Sequence, residues 1–122
     1  MTSSRCSRLT STTILLLLTL CAAVQVGAAA ERFFVYNLTT STEFTGVFLA
    51  PAGTEKWSPN QALNDKDKSL ETSERLPLIG ISHGMFDVKL QDRKGHVCVK
   101  HGVDLARDTS FDIRDADLAD CR

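Results

Sequence analysis

Apolar and polar positions alternate most regularly near the end of the chain. Phe86, Val88 and Leu90 alternate with polar residues, which predicts a strand with one buried and one solvated face. A turn sequence with glycine, Asp92-Arg93-Lys94-Gly95, follows, and a second alternating segment runs from Val97 to Val103 with His101 on the same parity as these valines. The pattern therefore predicts a β-hairpin.

Shorter apolar segments predict the remaining strands. They lie at residues 32–38, 44–49, 76–81 and 111–113. The first is apolar at both parities, as in a central strand, and Pro77 marks the third as an edge strand. We expect an all-β domain, a small antiparallel sandwich or partly closed barrel of about six strands.

Residues 54–75 interrupt this pattern and predict a long surface loop, with a helical turn after Ser58-Pro59. Trp57 is the only tryptophan, and we expect it to anchor the loop in the core because a small domain has few large residues to spare. If Trp57 is exposed instead, the loop from Ala52 to Leu63, with Trp57 and Asn60, becomes the candidate binding surface.

The first thirty residues have the three parts of a secretory signal peptide. A basic start with Arg5 and Arg8 precedes an apolar run from Ile14 to Val24, and Ala28 and Ala30 supply the small residues of a cleavage site. The run is about half of the roughly 20 apolar residues that span a bilayer. We expect residues 1–30 to be a signal peptide and residues 31–122 a single exported β domain, periplasmic or secreted.

Charge and cysteine content narrow the possible partners. The chain has 14 basic and 15 acidic residues, and loss of Arg5 and Arg8 leaves 12 basic ones. This balance argues against a nucleic-acid-binding protein, which would present a basic face, and no lysine-rich run suggests that the mature chain binds a membrane. Cys98 and Cys121 are the two cysteines that remain, and in an oxidising compartment they predict one disulfide, worth roughly 3 kcal/mol. Free or intermolecular thiols are the alternative.

The same cysteine also belongs to a possible metal site. His96 and Cys98 share one side of the predicted strand and could bind copper or zinc, and His101 could join them only after a bulge. The disulfide and the metal compete for one sulfur. Acidic residues at Asp65 and Asp67 resemble half of a calcium loop but lack its glycine and its final glutamate, so solvated loop charges are the favoured interpretation. We expect no cofactor.

Other chemical motifs are sparse. Asn37-Leu38-Thr39 fits a glycan acceptor, but a strand end that bonds the adjacent turn is the favoured interpretation. His83 has no visible catalytic partner, and no nucleophile motif occurs. The sequence predicts a non-catalytic binding module whose partner is an envelope protein or a small ligand. A metal-binding protein is the alternative.

The strand and turn motifs resemble a group of small exported bacterial β proteins of uncharacterised function. The matching segments are Asn37-Leu38-Thr39, Trp57-Ser58-Pro59, Leu63, Leu76-Pro77-Leu78, Phe86-Asp87-Val88, Gly95 and Gly102-Val103-Asp104-Leu105. The resemblance covers most of residues 33–113 and implies an exported single β domain without known catalytic residues. Its members often bridge two cysteines at positions occupied here by Met85 and Ala106, so a Cys98–Cys121 bridge would be a different one.

Overall fold

A computed structural model describes residues 31–122, whose strands form two small β-sheets. The predicted signal peptide, residues 1–30, lies outside the described residues. Six strands occur in the order β1 (Phe33–Asn37), β2 (Phe44–Pro51), β3 (Arg75–Leu78), β4 (Met85–Asp92), β5 (Val97–Asp104) and β6 (Ser110–Ile113). Two short 3₁₀ helices occupy Gln61–Asn64 and Asp115–Leu118. None of the helices in residues 31–122 is long and apolar enough to cross a membrane.

The two sheets have three strands each. One has the order β3-β1-β6 and the other β2-β4-β5, and neither closes into a barrel. The prediction of six strands is confirmed, as are the central position of β1, the edge position of β3 and the β4–β5 hairpin. The purely antiparallel expectation is wrong at one point, because β1 pairs parallel with β6. These two strands lie far apart in sequence, as a parallel pair requires.

The core lies between the sheets. Val35, Leu76 and Ile113 from one sheet and Val88 and Leu90 from the other are fully buried in one cluster. The two sheets therefore share one hydrophobic core. The residues of the long loop that pack in the core are Ala62 and Leu70, both fully buried, and not the predicted Trp57.

Polar side chains of the long loop cover the free edge of β2. Ser58 accepts a hydrogen bond from the Leu49 N–H at 3.0 Å and returns one from its own N–H to the Leu49 carbonyl at 2.7 Å. Asn60 accepts from the Val47 N–H at 3.0 Å. Such covering satisfies backbone groups that would otherwise invite another strand to pair.

The first 3₁₀ helix covers β3 in the same way. The Gln61 side-chain carbonyl accepts from the Ile79 N–H at 2.8 Å, just beyond the end of β3. The Asn64 amide donates to the Pro77 carbonyl at 2.9 Å. The loop thus covers one edge of each sheet with side-chain amides and hydroxyls.

The end of the chain covers the start of the outer edge of β5, at Val97. Cys98 and Cys121 form a disulfide with their Cα atoms 4.3 Å apart, which confirms the predicted pairing. Val97 and Arg122 exchange two backbone hydrogen bonds of 2.7 and 2.9 Å. The second 3₁₀ helix directly precedes this tail.

Asn37 is a buried polar residue at the end of β1. Its amide donates to the carbonyls of Thr42 and Leu70 at 2.8 and 3.1 Å. Its side-chain oxygen accepts from the N–H and the hydroxyl of Thr39 at 3.1 and 2.7 Å. The glycan-acceptor pattern is therefore a structural turn, as the favoured interpretation predicts, with the Asn37 side chain closed to solvent.

Candidate functional site

The outer face of the β2-β4-β5 sheet carries a row of paired side chains. Phe48 pairs with Lys89, and Lys89 pairs with Val99, so one residue from each strand contributes. The Lys89 ammonium lies 4.8 Å from the centre of the Phe48 ring. This is within cation–π range, so the lysine is held on the sheet surface by the aromatic ring.

The loop after β2 turns back above this row and brings Trp57 onto it. The turn passes through Glu55, whose φ of 54° is a left-handed conformation unusual for a residue with a side chain. The Lys89 ammonium also lies 4.8 Å from the centre of the Trp57 ring. The expectation that Trp57 anchors the loop in the core is wrong: Trp57 is half-buried on the outer face, outside the core cluster.

A bulge in β5 places a histidine beside a carboxylate. Phe86 pairs with Val103 and Val88 pairs with Lys100, so Asp87 alone faces two residues, His101 and Gly102. Gly102 has a φ of 69°, the left-handed conformation that a bulge of this kind takes from glycine. The bulge also ends the predicted alternation, because Val103 is buried whereas Val99 and His101 are exposed.

Asp87 is the best-connected polar group of the site. One carboxylate oxygen accepts from the Gly53 N–H at 2.9 Å, and the other lies 3.1 Å from His101 Nδ1. Because the Gly53 N–H bonds the ionised form, the pKa of Asp87 is lowered, and His101 adds to this shift. An ionised Asp87 keeps the proton of the His101 ring on Nδ1, which leaves Nε2 as a hydrogen-bond acceptor when the ring is neutral.

Together these groups line an open cleft of about 430 Å³ between the loop and the sheet. Its lining comprises Gly53, Thr54, Glu55, Trp57, Asp87, Val99 and His101. Trp57 and Val99 provide apolar surface, and the carboxylates and the imidazole provide polar groups. A concave, partly apolar site with a few converging polar groups is the usual form of a small-ligand site.

Asn60, the other residue of the predicted binding loop, is not part of this cleft. Its side chain accepts from the N–H groups of Val47 and Ala62, both at 3.0 Å, and donates to the Thr45 carbonyl at 2.9 Å. These hydrogen bonds connect the Asn60 side chain to the edge of β2 and to the start of the first 3₁₀ helix. Asn60 therefore positions the loop.

The three residues of the alternative metal site lie in separate environments. His96 Nδ1 is 2.9 Å from Asp92, His101 is bound to Asp87, and the Cys98 sulfur is bonded to Cys121. A bridged sulfur has no thiolate to offer a metal. Across residues 31–122 no group of three or more histidine, cysteine or acidic side chains is placed to hold a metal ion.

Two other predicted features have local roles. Asp65 accepts from the Asp67 N–H at 2.8 Å, which stabilises a turn of the long loop. The His83 ring donates from Nδ1 to the Leu105 carbonyl at 2.8 Å and contacts Glu31 through Nε2. The carbonyl and then the carboxylate raise the pKa of His83.

The pairing of Asp87 with His101 is the feature that sequence reasoning missed. Asp87 lies at an outward-facing position of an alternating strand, where an acidic residue is ordinary. The signal available was His101-Gly102, because a glycine inside a strand indicates a bulge.

Comparison of the chain with protein-family models, curated proteins and solved structures finds no match.

Proposed function

We propose that the protein is an exported, non-catalytic binding module, periplasmic or secreted, and that the cleft beneath Trp57 is its ligand site. The observation that carries the proposal is the half-buried Trp57 ring lining the same cleft as the Asp87–His101 pair. Tryptophan offers a large flat apolar surface at low entropic cost, and the pair beside it offers directional hydrogen bonds.

The loop conformation supports this proposal. The left-handed backbone of Glu55 costs free energy, on the order of 1–3 kcal/mol for such residues. Non-glycine residues in this conformation concentrate at ligand sites, where the surrounding structure holds them. Here the strained residue both lines the cleft and turns the chain back so that Trp57 reaches the sheet.

The hydrogen bonds around His101 favour binding over catalysis. The only hydroxyl in the cleft lining, that of Thr54, donates to the Pro51 carbonyl at 2.7 Å. No hydrogen bond within residues 31–122 joins this hydroxyl to His101, so the cleft lacks the nucleophile–base contact of covalent catalysis. A neutral His101 instead accepts a hydrogen bond from a ligand N–H or O–H group.

A thermal-shift screen tests this function. The probes are a panel of monosaccharides, disaccharides, amino acids and dipeptides, each added to the chain from Glu31 to Arg122. A ligand at about 100 times its Kd stabilises the folded state by about 2.7 kcal/mol, which is a readily measured rise in melting temperature. We expect a compound that stabilises the natural chain to lose its effect on Trp57→Ala and His101→Ala.

Leu63→Ala is the matched control, because Leu63 is an exposed apolar residue of the same loop that does not line the cleft. Leu63→Ala should show the same ligand-induced rise in melting temperature as the natural chain. A stabilising compound that acts equally on Trp57→Ala would place the binding site elsewhere, and a panel without any stabilising compound would count against a small-ligand function.

A further inference from the structure

The outer edge of β6 is open along its whole length. The long loop and the first 3₁₀ helix cover the edges of β2 and β3, and the end of the chain covers the start of the β5 edge at Val97. Within residues 31–122, β6 pairs with β1 alone, and no hydrogen bond covers its other side. An open edge is a template for pairing with a further strand.

The register shows which backbone groups this edge presents. The carbonyls of Thr109 and Ile113 accept from β1, so the odd-numbered residues of this segment face β1. The N–H and carbonyl groups of Ser110 and Asp112 therefore face outward. An antiparallel copy of β6 centred on Phe111 would set Ser110 opposite Asp112 of the second copy and form four hydrogen bonds.

Phe111 lies at the centre of that arrangement. It faces the core like Ile113 two residues later, yet it is only half-buried because the sheet ends at β6. In the antiparallel arrangement it would face its own equivalent in the close, non-hydrogen-bonded position. A cross-strand aromatic pair would complete the burial of both rings.

In this register, each charged residue that flanks β6 in one copy lies opposite a residue of opposite charge in the second copy. Asp108 precedes the strand and Arg114 follows it, so each Asp108 would oppose Arg114 of the second copy. Arg114 already lies 2.8 Å from Asp112 on its own strand, which holds the guanidinium beside the edge. Opposite charges at directly opposed positions stabilise a strand pair, and like charges destabilise it.

From these observations we infer that two copies of this chain associate through β6. The two β6 strands pair antiparallel about a two-fold axis at Phe111 and join two three-stranded sheets into one of six strands. The interface is isologous, because each surface binds its own equivalent. It leaves the cleft beneath Trp57, which lies on the other sheet, outside the contact.

Sedimentation equilibrium of the chain from Glu31 to Arg122, at concentrations up to about 1 mM, tests the dimer. We expect a monomer–dimer equilibrium, and Asp108→Lys should raise its dissociation constant by about tenfold because two like-charge pairs arise by symmetry. Asp67→Lys, an equal charge change in the long loop, should leave the constant unaltered. A monomer at every concentration would overturn the inference.

Ser110→Pro tests the strand pairing itself. The Ser110 N–H faces away from β1, so proline removes a donor that only the second copy uses. We expect this variant to stay monomeric and to melt like a monomer of the natural chain. If Ser110→Pro and Asp108→Lys both dimerise normally, the interface lies elsewhere on the molecule.

Discussion

Replacement of Asn37 by alanine should destabilise the domain strongly. The Asn37 side chain is closed to solvent and makes four hydrogen bonds that join the end of β1 to the next turn and to the long loop. The carbonyls of Thr42 and Leu70 keep other donors in the variant, but the buried Thr39 N–H loses its only acceptor among the described residues. An unsatisfied buried donor costs about 1–3 kcal/mol, and with the volume lost we expect about 2–4 kcal/mol in total.

That loss is large for this domain. A domain of the size of residues 31–122 typically has a free energy of unfolding of about 5–14 kcal/mol. A loss of this size should therefore lower the melting temperature by about 10–25 °C. Urea and thermal unfolding of the natural chain and Asn37→Ala would measure the change. Asn64→Ala is the control, because its amide bonds lie at a more exposed site. A loss below about 1 kcal/mol for Asn37→Ala would refute the structural role argued for this side chain.

Three further predictions concern covalent state, pH and processing. Reduction of the Cys98–Cys121 disulfide should lower the free energy of unfolding by about 3 kcal/mol, as the length of the loop that it closes implies. Thiol titration of the unfolded, unreduced protein should find almost no free thiol, and two free thiols would contradict the disulfide. The hydrogen bond from Arg93 lowers the pKa of Glu43 to about 2. The ionised Glu43 therefore contributes its full stabilisation above its unfolded pKa near 4.5 and loses it as the pH falls toward 2. The stability of Glu43→Gln should lack this pH dependence, and a pH dependence equal to that of the natural chain would count against the Glu43–Arg93 ion pair. Mass spectrometry of the exported protein should find an N-terminus at Glu31, within a residue or two, whereas an intact Met1 form would contradict cleavage.

The strands were predictable because their signals are local. Alternation from Phe86 to Leu90, the turn before Gly95 and the proline at residue 77 each depend on neighbouring residues alone, and each agrees with the structure. The parallel pairing of β1 with β6 was not predictable, because it joins two short strands from opposite ends of the domain whose local patterns carry no information about direction.

The site was only partly predictable. Its apolar character predicted that Trp57 would be shielded, but this character could not distinguish the core from the outer face of a sheet, where the ring packs against Lys89. Asp87 and His101 meet only because one extra residue in β5 shifts the register. Alternation assumes a regular strand, so it places Val99 and Val103 on one face, whereas the bulge between them leaves Val99 exposed and Val103 buried.

The most direct test of the binding site is an NMR titration with the compound that the thermal-shift screen identifies. We expect the largest amide shifts at Gly53, Val99 and His101, together with the indole N–H of Trp57, while the amide of Ser110 on the β6 edge does not shift. Shifts centred on the β6 edge or on the outer face of the β3-β1-β6 sheet, with an unperturbed Trp57 indole, would contradict this binding site.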